Sequence, residues 1–141
     1  MTQPRTKRLD HLPTKLHLDI GGFNGECHEI QFQNGQLRYR TAPAAYMWTE
    51  KTLLNPDRQQ WEDFWRAVDA AAVWTWAKEY VDLRVLDAMQ WSLSMRHKGR
   101  SISSEGNNAY PGANGPDFPE NCSFAKFLHA LRQLSGVSAI R

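Results

Sequence analysis

The order of turn signals and hydrophobic periods constrains the fold of this chain more than any bulk figure. A hairpin pattern followed by an amphipathic helix pattern occurs twice. Residues 28–40 alternate around Asn34-Gly35, and Trp61, Phe64, Trp65 and Val68 follow at helical spacing. Residues 91–104 alternate around Lys98-Gly99, and Phe124, Phe127, Leu128 and Leu131 follow at the same spacing. Elements with one apolar side bury those sides against each other. The expectation is a two-layer α+β domain, with an antiparallel sheet of about five strands and two amphipathic helices on one face, in the order meander, helix, hairpin, helix. The element order repeats, but no residue-level match supports a duplication.

Register follows from keeping apolar residues together. In Lys15–Gly22, Leu16, Leu18 and Ile20 share one face and His17 and Asp19 the other. A three-residue loop, Phe23-Asn24-Gly25, sets Ile20 opposite His28, Leu18 opposite Ile30 and Leu16 opposite Phe32. A two-residue turn would mix the faces, because a slip of one residue inverts every side chain. The Asn34-Gly35 turn pairs Phe32 with Leu37, Ile30 with Tyr39 and Glu29 with Arg40. The Lys98-Gly99 turn pairs Met95 with Ile102.

The remaining segments are read around these elements. Residues 1–14 form a loose basic arm carrying Arg5, Lys7 and Arg8, residues 15–136 a single domain, and residues 137–141 a tail. Residues 43–54 read as a loop holding Tyr46 and Trp48. Asn55-Pro56-Asp57 opens a helix, with Asn55 as cap and the helix running to about Ala72. Trp74, Trp76 and Tyr80 lie in a short strand or ordered loop, and residues 82–87 in a linker. Residues 106–119 read as loop, and a final helix begins near Asn121 or Ser123 and stops at Gly136.

Bulk numbers narrow the function classes. A net charge of +2 provides no domain-wide field for nucleic acid. The apolar runs are far short of a membrane span, so no membrane partner is expected. Nothing reads as a signal peptide, and two cysteines make no disulfide framework, which points to a reduced, cytoplasmic protein. The six tryptophans exceed ordinary usage and are assigned mainly to the core.

Catalytic constellations are weak. His17, His28, His97 and His129 are scattered, and no ligand pair stands at i, i+3 or i+4 on a helix, so neither metal nor cofactor is expected. Cys122 and His129 lie too far apart along a helix to act as nucleophile and base. Asp19 and Glu29 are cross-strand neighbours on an exposed face, flanked by Arg40. The hairpin tip Arg96, Lys98 and Arg100, with Arg5, Lys7 and Arg8, offers a phosphate-gripping alternative. The outer strand faces lack the aromatics of an RNA-reading sheet. Asn107, Asn108 and Tyr110 bring amides and a phenol to a loop between strand and helix, a favoured location for contact residues.

Trp91-Ser92-Leu93, a basic hairpin, Gly106-x-Asn108-x-Tyr110-Pro111 and Phe124-x-x-Phe127, preceded by Trp61, Trp65, Trp74, Trp76 and Tyr80, resemble a pattern in small uncharacterised bacterial α+β proteins. The resemblance covers about residues 55–136 and implies an immunity or accessory component rather than an enzyme. Here the stretch 112–120 stands like an insertion between Tyr110-Pro111 and the last helix. The expected function is thus a non-enzymatic interaction module, a bacterial or phage-related immunity, inhibitor or accessory subunit. It would dock on a larger protein through Tyr46, Trp48, Asn107, Asn108 and Tyr110. The alternative is a nucleic-acid-binding accessory using the six basic residues named above.

Overall fold

Alternation along Lys15–Gly22 (β1) makes this strand the seam of the molecule, because both of its edges are paired. On one side lies Cys27–Gln33 (β2), with Leu16 opposite Phe32, Leu18 opposite Ile30 and Ile20 opposite His28. On the other lies Met89–His97 (β6), with Leu16 opposite Met95, Leu18 opposite Leu93 and Ile20 opposite Trp91. The two hairpin units are thereby fused into one sheet across β1. The computed structural model describes residues 10–22, 26–43, 47–49, 51–82, 89–107, 109–114, 119–138 and 140.

Gln36–Ala42 (β3) continues the meander with Phe32 opposite Leu37, Ile30 opposite Tyr39 and Glu29 opposite Arg40, the expected register. Arg100–Asn107 (β7) pairs with β6, Met95 opposite Ile102. Both tight turns place two successive residues at positive φ: Asn34 at 54° and Gly35 at 78°, Lys98 at 50° and Gly99 at 80°. This is the backbone twist a two-residue hairpin demands. The loop at 23–25, expected to join β1 to β2, lies outside the described residues.

Two short strands enlarge the expected sheet. Thr52–Leu54 (β4) pairs antiparallel with β3, and Glu79–Val81 (β5) pairs parallel with β7. Among the described residues the sheet is therefore mixed and seven-stranded, in the order β4-β3-β2-β1-β6-β7-β5, rather than antiparallel with about five strands. The parallel pair is secured by Glu105 N–H donating to the Lys78 carbonyl and by the Ser104 hydroxyl donating to the Ala77 carbonyl. Residues expected as loop also form a small ribbon, Ala109–Tyr110 (β8) with Ala113–Asn114 (β9).

Both helices lie on the same face of the sheet. Arg58–Ala70 (α1) buries Trp61, Phe64, Trp65 and Val68, the stripe its spacing predicts. Its cap is Asp57, two residues later than expected: the Asp57 carboxylate accepts from Gln60 N–H while the Gln60 side chain accepts from Asp57 N–H. Ser123–Ser135 (α2) buries Phe124, Phe127, Leu128, Leu131 and Leu134 and ends at Gly136, φ 74°. Trp61 meets Phe32 edge-on at 5.8 Å, and Phe64 meets Phe127 at 6.2 Å, so sheet, α1 and α2 share one interior. Each such ring, fully removed from water, contributes roughly 1.5–3 kcal/mol. Trp76, just past the single turn Val73–Thr75, packs against Trp91 and Phe127.

The chain flanks are docked as well. Residues 10–14, expected in the loose arm, are tied down by three bonds. Trp65 Nε1 donates to the His11 carbonyl at 2.7 Å, His97 Nε2 meets the Asp10 carbonyl at 2.8 Å, and Thr14 N–H donates to the Arg96 carbonyl. In the tail, Ile140 is fully buried and its carbonyl accepts from Arg132. Among the described residues, no helix is long and apolar enough to cross a membrane, and Cys27 and Cys122 form no disulfide.

Candidate functional site

With both helices on one side, the other face of the sheet carries mostly polar residues. The β6 and β7 strands present Ser92, Ser94, Ser101 and Ser103 there, a low and open floor. Toward β3 the side chains grow, and four of them converge. His17 and Asp19, two apart on β1, point the same way, and Asp19 lies directly opposite Glu29, which lies opposite Arg40. His17 Nε2 stands 2.7 Å from Glu29 Oε2 and 3.2 Å from Asp19 Oδ2, while Arg40 Nε donates to Glu29 Oε1.

Burial within this group is uneven. Glu29 is 7% exposed, whereas the side chains of His17 and Asp19 keep 32% and 44% of their surface. Burial pushes the Glu29 carboxyl up, but hydrogen bonds from Arg40 and His17 outweigh it and hold the group below its ordinary value. Asp19 moves the other way: burial and the facing Glu29 charge raise it, only partly offset by His17 and Arg40. The two carboxyls thus differ in character, one fixed as an anion and one nearer to its proton.

Beside this polar centre runs an apolar rim. The Arg40 guanidinium lies 4.4 Å from the centre of the Trp48 ring, which holds the indole against the outer face. The segment is anchored by Thr49 N–H donating to the Thr41 carbonyl and by Thr41 N–H donating to Thr49 Oγ1. Trp48 is 36% exposed, its neighbour Met47 66%, and Leu53, opposite Arg38 on β4, 55%. Arg38 has its Nε buried with no hydrogen-bond partner among the described residues.

The residues singled out by sequence do not gather at one place. Tyr110, expected as a contact, is 1% exposed, with its ring 4.9 Å from that of Phe124. It is a core residue. The loop around it folds inward because the Trp91 indole donates to the Ala109 carbonyl at 2.9 Å. Asn107 ends β7, half-buried, its side-chain oxygen without a partner among the described residues. Trp48 is exposed on the outer face as described. Tyr46 and Asn108 lie outside the described residues.

The basic tip is divided. Arg96 is exposed on the outer face opposite Lys15, and Lys98 sits at the turn. Arg100 turns to the helix side, 2.9 Å from Asp69 and over the Trp74 ring at 4.8 Å. Between Arg96 and Lys98, His97 is buried and stacks on Trp65 at 3.8 Å with rings nearly parallel. Arg5, Lys7 and Arg8 lie outside the described residues. Cys122 caps α2, its sulfur accepting from Ala125 N–H, and His129 lies exposed farther along that helix. On the far side of the molecule, Ala67, Ala70 and Ala71 face Lys126, His129 and Arg132 across an open groove of about 860 Å³.

His17, Asp19 and Glu29 converge without the i, i+3 or i+4 helical spacing that marks most ligand sets in a sequence. The signal was present in the register itself, in an i, i+2 pair on one strand with an acid placed across from it. Comparison of the chain with protein-family models, with curated proteins and with solved structures returned no match.

Proposed function

We propose that this chain is a non-enzymatic protein-interaction module, a bacterial or phage-related immunity, inhibitor or accessory subunit that docks on a larger protein in a reducing cytoplasm. The observation that carries this reading is the exposed pair Trp48 and Leu53 on the sheet face opposite the helices, beside Arg40 and Arg38, with exposed Met47 next to Trp48 in the chain. Tryptophan and arginine are among the residue types most enriched where a few side chains dominate binding. The positive rim favours a partner surface that carries acids around an apolar patch. Trp48 belongs to the contact set expected from sequence, and Leu53 and Met47 join it in place of Tyr110.

The test uses Trp48→Ala and Leu53→Asp in capture from the native host. Both sites are exposed, so folding stability should shift by no more than about 1 kcal/mol. A protein retained by the wild type and lost by both variants supports the reading. Equal retention by all three chains refutes it. The rival reading, a nucleic-acid-binding accessory, draws on Lys15 and Arg96 standing opposite each other, and on Lys98 at the turn. It predicts binding that weakens steeply with salt and with Arg96→Gln. Arg100, paired with Asp69, contributes less to that surface than sequence suggests.

A further inference from the structure

We propose that His17, Asp19 and Glu29 form a binding site for one borderline divalent cation of the Zn²⁺ type on the open face of the sheet. The site is independent of the docking rim and would stand if that reading failed. One ligand atom from each residue lies within 4.8 Å of the other two. Ligands at about 2.0–2.2 Å from a shared ion stand roughly 3.4 Å apart in tetrahedral geometry. The His17 to Asp19 separation, 3.2 Å, already fits. The His17 to Glu29 separation, 2.7 Å, needs a small opening. The exposed Asp19 side chain has room to supply the remaining adjustment.

Two features separate this arrangement from an ordinary surface ion pair. First, Glu29 is bonded by both Arg40 and His17, while a second carboxylate, Asp19, stands directly across the strand pair and shares that same His17 at 3.2 Å. Like charges directly opposite destabilise a sheet. A cation held between them converts that repulsion into attraction. Second, Arg40 occupies Glu29 Oε1 and leaves Oε2 turned toward His17. A ligating carboxylate fixed through its other oxygen is the usual outer-shell arrangement of a metal site. The imidazole selects Zn²⁺, Co²⁺ or Ni²⁺ over Mg²⁺ or Ca²⁺. Ser92 and Ser94 flank the group on the β6 side and leave the outward positions to water.

The experiment titrates the full chain, without a histidine tag and stripped with chelator, with Zn²⁺ by calorimetry and with Co²⁺ by visible absorption. One saturating equivalent is expected, with cobalt bands of a nitrogen–oxygen site. His17→Gln and Asp19→Asn, both partly exposed, should keep the fold and weaken affinity by more than about tenfold each. Glu29→Gln should do the same, read alongside circular dichroism because this residue is buried. Absence of saturation in the wild type up to millimolar metal overturns the proposal. So does affinity unchanged in both His17→Gln and Asp19→Asn, which would place the ion on other residues.

Discussion

Gly106 is a position where a single methyl group should be felt throughout the core. It lies opposite Trp91 on one side and Tyr80 on the other, at the join between β7, β6 and β5. A Cβ there would stand 2.5 Å from the Ala109 carbonyl oxygen and 2.5 Å from Trp91 Cε2, with Nε1 closer still. Ordinary contact begins near 3.4 Å, so the indole must retreat by about 1 Å. That retreat breaks the buried bond from Trp91 Nε1 to Ala109, and leaving such a pair unmade costs roughly 1–3 kcal/mol. It also drives Trp91 into Phe124, whose ring is 4.9 Å away, and Trp76, at 5.7 Å. Overpacking of this kind costs a further 1–3 kcal/mol or so.

Gly106→Ala should therefore lose about 2–6 kcal/mol, a large part of the roughly 5–15 kcal/mol available to such a domain. The assay is urea denaturation followed by circular dichroism, with the midpoint falling and the slope unchanged. A cycle with Trp91→Phe isolates the cause. Without the indole nitrogen the added methyl meets less resistance, and the double variant should be less destabilised than the sum of the singles. A cost below about 1 kcal/mol for Gly106→Ala would refute the reasoning, as would additivity within about 0.5 kcal/mol.

Three other outcomes follow from the same structure. Tyr110→Ala should lose about 3–5 kcal/mol because the ring is buried against Phe124, and melting will show a folding defect before any loss of capture. Asp57→Ala should lose about 0.5–2 kcal/mol through the cap of α1, read from thermal midpoints at neutral pH. Burial pushes the His97 imidazole below its ordinary value, aided by Lys98 and Arg100 and opposed by the Asp10 carbonyl and Asp69. The unfolded chain then takes up that proton first as pH falls. Stability should decline as pH drops below about 6.5 toward the folded value, and His97→Gln should flatten that slope in denaturation series across pH.

Much of the sheet was legible because alternation leaves little freedom. Leu16, Leu18 and Ile20 can face Ile30 and Phe32 in one register, and the Asn34-Gly35 and Lys98-Gly99 turns set the rest. What escaped was held by partners distant in sequence. Glu79–Val81 is too short to show a period, and its parallel pairing depends on Ser104 and Glu105 reaching back to residues 77 and 78. Thr52–Leu54 is a strand because β3 offers it an edge. Tyr110 gave no sign of its burial, since a phenol beside asparagines suits a contact loop as well as a core.

The burial of Tyr110 redirects where function should be sought. Trp91, Gly106, Tyr110, Phe124 and Phe127, five residues of the W-x-L…G-x-N-x-Y-P…F-x-x-F pattern, lie in one region of the interior. Phe124 lies tilted against both Trp91 and Tyr110, Trp76 closes the group, and Gly106 leaves room for the indole. A pattern with that placement specifies how the second hairpin and its helix pack. It carries no instruction about a partner. The outer face is free of such packing demands, so a buried acid facing a second acid there, and a tryptophan held in water by an arginine, are the features folding alone leaves unexplained. Shared partners among chains with this packing pattern would be expected only where they also keep the outer-face set His17, Asp19, Glu29, Arg40 and Trp48.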